Sequence, residues 1–94
     1  MRSPIDQYIA DKVLAMRKKR KVSQEKLAYE LGYESTSYIA AIESMHPDRT
    51  EYYNSKQLNS IALYLECSPK EFWPDKGLVS YTSERKYKPK RKKK

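Results

Sequence analysis

At 94 residues, with 38% hydrophobic content, one tryptophan and one cysteine, the chain has material for one small domain around one modest core, which excludes a multi-domain enzyme. Cys67 has no second cysteine to pair with, so a disulfide-stapled secreted scaffold is excluded too and a reducing, cytoplasmic setting is expected. The formal charge of +8 is unevenly spread: residues 79–94 hold eight Lys or Arg against one Glu, leaving 12 basic and 11 acidic residues, net +1, for residues 1–78. From the amino end, Ser3 followed by Pro4 is a helix start, and Ile5, Ile9, Val13 and Met16 recur at intervals of four, four and three, predicting a first helix to about Lys19. The mixed charge of "MRSPIDQYIADKV" is unlike a signal peptide, and no stretch has the roughly 20 apolar residues that span a bilayer.

After the basic run "RKKRK", Arg17–Lys21, Ser23 is an N-cap for a second, short helix with Leu27, Ala28 and Leu31 on its inner face. Gly32 falls where a left-handed C-cap belongs. Ser35 is placed to cap a third helix whose inward pair is Ile39 and Ile42. The loop "SMHPDRTEYY" follows, and Asn54 or Ser55 opens a fourth helix that buries Leu58, Ile61, Ala62 and Leu65. "SPKEF" is a capping box with proline at the first helical position, predicting a short fifth helix that buries Phe72, with Trp73 as a second candidate. Pro74 and Gly77 end the packed domain, and "GLVSYT" is too short to build a sheet. "ERKYKPKRKKK" is nearly without apolar residues and is expected to be a flexible basic tail. The expectation is therefore an all-α chain: a five-helix domain over residues 1–78 and a basic, disordered tail over 79–94.

The stretches "MRKKRKVSQEKLAYELG", "SYIAAIE" and "LNSIALYLECSPKEF" resemble the lambda-repressor-like helix-turn-helix family, the Cro and phage-repressor (XRE) type. The likeness covers about residues 9–72 and is carried by the ordered set Arg17, Ser23, Gln24, Leu27, Ala28, Gly32, Ile39, Ile42, Glu43, Leu58, Ile61, Ala62 and Leu65. The resemblance implies a compact five-helix domain that binds double-stranded operator DNA, often as a homodimer, with its third helix in the major groove. It implies a phosphate contact from Gln24, and base-edge or phosphate contacts from Ser35, Thr36, Ser37, Tyr38, Ala40 and Ala41. Arg49 in the following loop and the basic tail are added as phosphate candidates. Arg17 and Glu43 match a pair that in the family bridges the first and third helices, a structural role. Three features depart from the pattern. Ala40 and Ala41 stand where the family more often has long polar side chains, "GYESTSYI" is one residue longer than usual, and Lys21 stands where many relatives have glycine. An alanine methyl can meet a thymine methyl but forms no hydrogen bond to a base, which shifts base reading to Thr36, Ser37 and Tyr38.

Each candidate has a plainer alternative. Gln24, Thr36 and Ser37 have a minor alternative as polar first-turn residues, Tyr33 and Tyr38 an even one as packing at the core edge, and Lys18, Lys19 and Arg20 are mostly the wet face of a helix. No G-x-S-x-G, H-E-x-x-H or G-x-x-x-x-G-K motif is present, and with only two glycines a phosphate-cradling loop is impossible. His46 has no partners at metal-binding spacing. An enzyme, a cofactor and a metal are therefore not expected. The expected function is a sequence-specific, repressor-like transcriptional regulator. The alternatives are an antitoxin that binds a toxin protein and represses its own operon, and a protein-interaction adaptor that has lost base reading, for which Ala40 and Ala41 are the best argument.

Overall fold

Serine, asparagine and proline placed just ahead of apolar stripes decide where the helices of this chain begin. The computed structural model describes residues 2–88. They form α1 (Pro4–Lys19), α2 (Gln24–Glu30), α3 (Ser37–Glu43), α4 (Ser55–Leu65) and a single 3-10 turn (Pro69–Phe72), with no strand among the described residues. Ser3 Oγ accepts the Asp6 amide at 3.2 Å and Ser23 Oγ accepts the Lys26 amide at 3.1 Å. Asn54 and Gln57 close a reciprocal box, each amide bonded to the other's side chain at 2.8 Å. Caps of this kind contribute about 1 kcal/mol each by satisfying amides that no helix can satisfy internally.

Two starts differ from expectation. The cap position of α3 is Thr36, whose side chain makes no capping bond; Ser35 Oγ accepts the Ser37 amide instead, at 3.3 Å. The box at Ser68 and Glu71 forms in full, yet the element it opens is one 3-10 turn rather than a fifth α-helix. Pro74 is the reason. The residue before a proline is pushed out of the helical region, and Trp73 is extended at φ −107° and ψ 146°. Phe72 is thereby fully buried while Trp73 is 50% exposed.

Three helices end in the same way. At α1, α2 and α4 a residue two or three past the helix end returns its amide to the carbonyl five positions back, Val22 to Arg17, Tyr33 to Ala28 and Cys67 to Ala62. The residue between takes a left-handed conformation, Lys21 at φ 57°, Gly32 at φ 85° and Glu66 at φ 56°, and Val22, Tyr33 and Cys67 then pack on the core. Only Gly32 does this without a Cβ penalty. Lys21→Gly should therefore raise stability by about 0.5–1 kcal/mol, read as a higher urea midpoint at unchanged slope.

The core joins Ile9 and Val13 of α1, Leu27 and Ala28 of α2, Ile39 and Ile42 of α3, Leu58, Ile61 and Leu65 of α4, and Tyr53 and Phe72. α1 packs on α3, α4 and the 3-10 turn, and α2 packs on α3 and α4. Ala28 is small where α2 meets its neighbours, so the crossing can be close. No helix among the described residues is long and apolar enough to cross a membrane. The segment expected to be a loose tail from residue 79 runs back over α1 as far as it is described: Tyr81 and Arg85 both bond to Asp11. Residues 89–94 of that tail lie outside the described residues.

Candidate nucleic-acid interface

α3 is only 7 residues long and could not hold its own orientation by propensity. A buried ion pair does so. Arg17 Nε donates to Glu43 Oε2 at 2.7 Å and Nη2 donates to Oε1 at 2.7 Å, with Arg17 8% and Glu43 9% exposed. The third guanidinium nitrogen, Nη1, donates to the Val22 carbonyl at 2.7 Å, just past the left-handed Lys21. Gln24 Nε2 completes the set by donating to Glu43 Oε1 at 2.8 Å. One carboxylate thus ties together α1, the start of α2 and the end of α3, and the pair expected between Arg17 and Glu43 is present.

The sequence candidates separate in this frame. Ser35, Ser37 and Ala40 are exposed and Thr36 is half-buried; they sit on the outer side of α3 and its entry turn. Gln24 lies beside that side, in a hollow it shares with Lys18, Ala40, Ser44 and Arg85, its amide engaged by Glu43. Ala41 leaves the set: it is 8% exposed, buried alongside Ile39, Ile42 and Glu43 of the same helix. Tyr38 turns toward α4. Its ring stacks on Tyr33 with centroids 5.0 Å apart, its hydroxyl donates to the Tyr52 carbonyl at 2.6 Å, and Tyr33 Oη accepts from Gln57 Nε2 at 2.7 Å. Burial pushes the Tyr38 phenol above its ordinary range. This is core-edge packing, the plainer of the two readings. Arg49 is exposed in the loop after α3 and reaches Glu51 at 3.5 Å.

The carbonyl end of α3 is covered by two arginines from opposite ends of the chain. Arg2 donates from Nη2 to the Ala41 carbonyl at 2.6 Å, from Nη1 to the Ser44 carbonyl at 3.1 Å and from Nε to the Glu51 carbonyl at 2.6 Å. Arg85 Nη1 donates to the Glu43 carbonyl at 2.7 Å. The last carbonyls of a helix lack internal partners and carry the negative end of its dipole, so guanidinium groups are favoured there. Sequence reasoning missed both residues. Arg2 lies ahead of the first helix with no pattern around it. Arg85 does carry a signal, since Tyr81, Ser83 and Arg85 alternate as one side of an extended segment would.

That side faces Asp11. Arg85 donates to Asp11 Oδ1 from Nη2 at 2.6 Å and from Nε at 3.1 Å, Gln7 Nε2 donates to Oδ1 at 2.9 Å, and the Tyr81 hydroxyl donates to Oδ2 at 2.7 Å. Burial would raise the Asp11 carboxyl, but the hydrogen bonds from Ser83, Arg85 and Tyr81 and the charge of Arg85 outweigh it and hold the group below its ordinary value. Burial and the bond to Asp11 push the Tyr81 phenol up to about 12.

The flanks of α3 differ in charge. On the α1 side are Lys18 and Arg85. On the α2 side, Glu25, Tyr29 and Glu34 surround the turn at Gly32. No cluster of three or more His, Cys, Asp or Glu suited to a metal occurs among the described residues. Cys67 is half-buried, its thiol raised by burial. Comparison with known proteins returns no match: no family model, no curated protein and no solved structure.

Proposed function

We propose that this chain is a sequence-specific DNA-binding regulator in which α2, the turn and α3 act as a lambda-repressor-like helix-turn-helix with α3 in the major groove. One observation carries the reading: the Arg17–Glu43–Gln24 network holds a short helix so that a side made of the small residues Thr36, Ser37 and Ala40 faces outward. Seven residues rise about 10 Å along the helix axis, and small side chains let that backbone approach a groove about 12 Å wide. Thr36 and Ser37 then read base edges and Ala40 meets a thymine methyl. Gln24, Lys18 and Arg85 meet phosphates on the α1 side, while Glu25 and Glu34 keep the α2 side away from the backbone by repulsion.

A second reading, a protein-interaction adaptor, is favoured by one feature: exposed Tyr29 lies between Glu25 and Glu34, a surface better suited to a protein than to phosphate. Titration separates the two. Duplexes are selected from a random pool, and binding to them and to mixed-sequence DNA is measured for wild type and Ser37→Ala. The DNA reading expects a clear preference for selected DNA, and a loss of about 1–3 kcal/mol for Ser37→Ala on that DNA with far less on mixed sequence. If selection yields no preferred sequence, base reading by α3 is wrong and the adaptor takes its place.

A further inference from the structure

Asp11 is an acidic residue in a protein read as a DNA binder, and both of its carboxylate oxygens bond to the segment that leads into the basic tail. Both oxygens are used, by Arg85 and Gln7 on one and Tyr81 on the other. The same Arg85 reaches the last carbonyl of α3. Two residues on, the Tyr87 ring stands edge-on to His46, centroids 4.9 Å apart, in the loop that follows α3. Lys86 and Lys88 are exposed there, and seven of the last nine residues of the chain are Lys or Arg.

The geometry points to Asp11 as a positioning residue: with Tyr81 and Arg85 it straps residues 81–87 across α1 so that the basic run from Lys86 onward starts at the carboxyl end of α3, beside the DNA-facing side. This rests on the DNA reading above and adds a second contact region to it, the phosphates flanking the site that α3 occupies. Fixing the origin of a polycation raises its effective concentration at those phosphates and lowers the ordering entropy of binding. A tail leaving the domain at Gly77 would have ten or so more residues of slack to order.

Simple electrostatics and the strap predict opposite signs for the loss of the Asp11 charge. Asp11→Asn removes a negative charge and, with no strap, would tighten DNA binding. With the strap, it should weaken it. Full-length wild type, Asp11→Asn and Tyr81→Phe are titrated with a mixed-sequence duplex of about 20 base pairs, two helical turns, at a series of salt concentrations. Amide relaxation is recorded for residues 81–88. Both variants are expected to bind about three- to tenfold more weakly at low salt, to converge on wild type as salt rises because the lost contacts are to phosphates, and to show faster motion at residues 81–88. Tyr81→Phe lies outside the helical core and keeps the charge constant, so its result stands even where Asp11→Asn also lowers the melting temperature. Binding by Asp11→Asn and Tyr81→Phe as tight as or tighter than wild type overturns the strap and leaves the DNA reading in place. Failure of wild type to bind any duplex overturns both.

Discussion

Glu43→Ala should lower the melting temperature by about 15–30 °C, equivalent to a loss of roughly 3–5 kcal/mol in a domain of this size. The magnitude comes from what is left behind rather than from the strength of the pair. Arg17 is 8% exposed, and without Glu43 its Nε and Nη2 lose both acceptors while Nη1 keeps only the Val22 carbonyl. The Gln24 amide loses its acceptor as well. A buried charge stripped of its partner is far more costly than the pair is favourable. The double variant Arg17→Met/Glu43→Leu should accordingly recover most of the loss, since it removes both charges and fills the space. Thermal unfolding followed by circular dichroism checks both. A melting temperature for Glu43→Ala within about 2 °C of wild type would mean that Arg17 is solvated and the pair is worth the ~1 kcal/mol or less of a surface contact.

Phe72→Ala is the other large effect, about 3–5 kcal/mol by loss of a buried aromatic and the cavity that remains. Phe72 is the largest fully buried side chain among the described residues, yet it comes from the shortest element, one 3-10 turn that packs on α1 and α4. A four-residue turn cannot collapse to fill the gap, because the capping box at Ser68 and Glu71 holds its start and the extended Trp73, ahead of Pro74, follows it. Trp73→Ala, one residue on, should cost less than about 1 kcal/mol. Urea titration of the two variants side by side tests the contrast; equal losses would place Trp73 in the core.

The residues 4–72 were largely legible because their signals are local. Ser3-Pro4, Ser23, Asn54 and Ser68 each mark a helix start within two or three residues, and Ile9, Val13, Leu58, Ile61 and Leu65 repeat at the helical period, so both boundaries and inward faces follow from neighbours in sequence. Gly32 could be placed at a left-handed position for the same reason, whereas Lys21 was marked only by the glycine that relatives carry there and Glu66 by nothing local. Where local signals competed, the outcome was a matter of context: "SPKEF" has every mark of a helix start, and only Pro74 next to Trp73 turns it into a single 3-10 turn.

The candidate site was half legible. Thr36, Ser37 and Ala40 fall on the outer side of α3 because the period that buries Ile39 and Ile42 turns them away. The destinations of long side chains carry no such period. Tyr38 bonds to the Tyr52 carbonyl 14 positions on, Arg2 reaches carbonyls from Ala41 to Glu51, and Arg85 joins Asp11 and Glu43. What the amino-acid sequence by itself determined here was the order of helices, their caps and their apolar faces, all set by interactions within a few residues. Apart from the Arg17–Glu43 pair, which the family resemblance implied, only the tertiary structure decided which charges meet, because those contacts form between residues up to 74 positions apart and depend on where packing of the core has already brought the backbone.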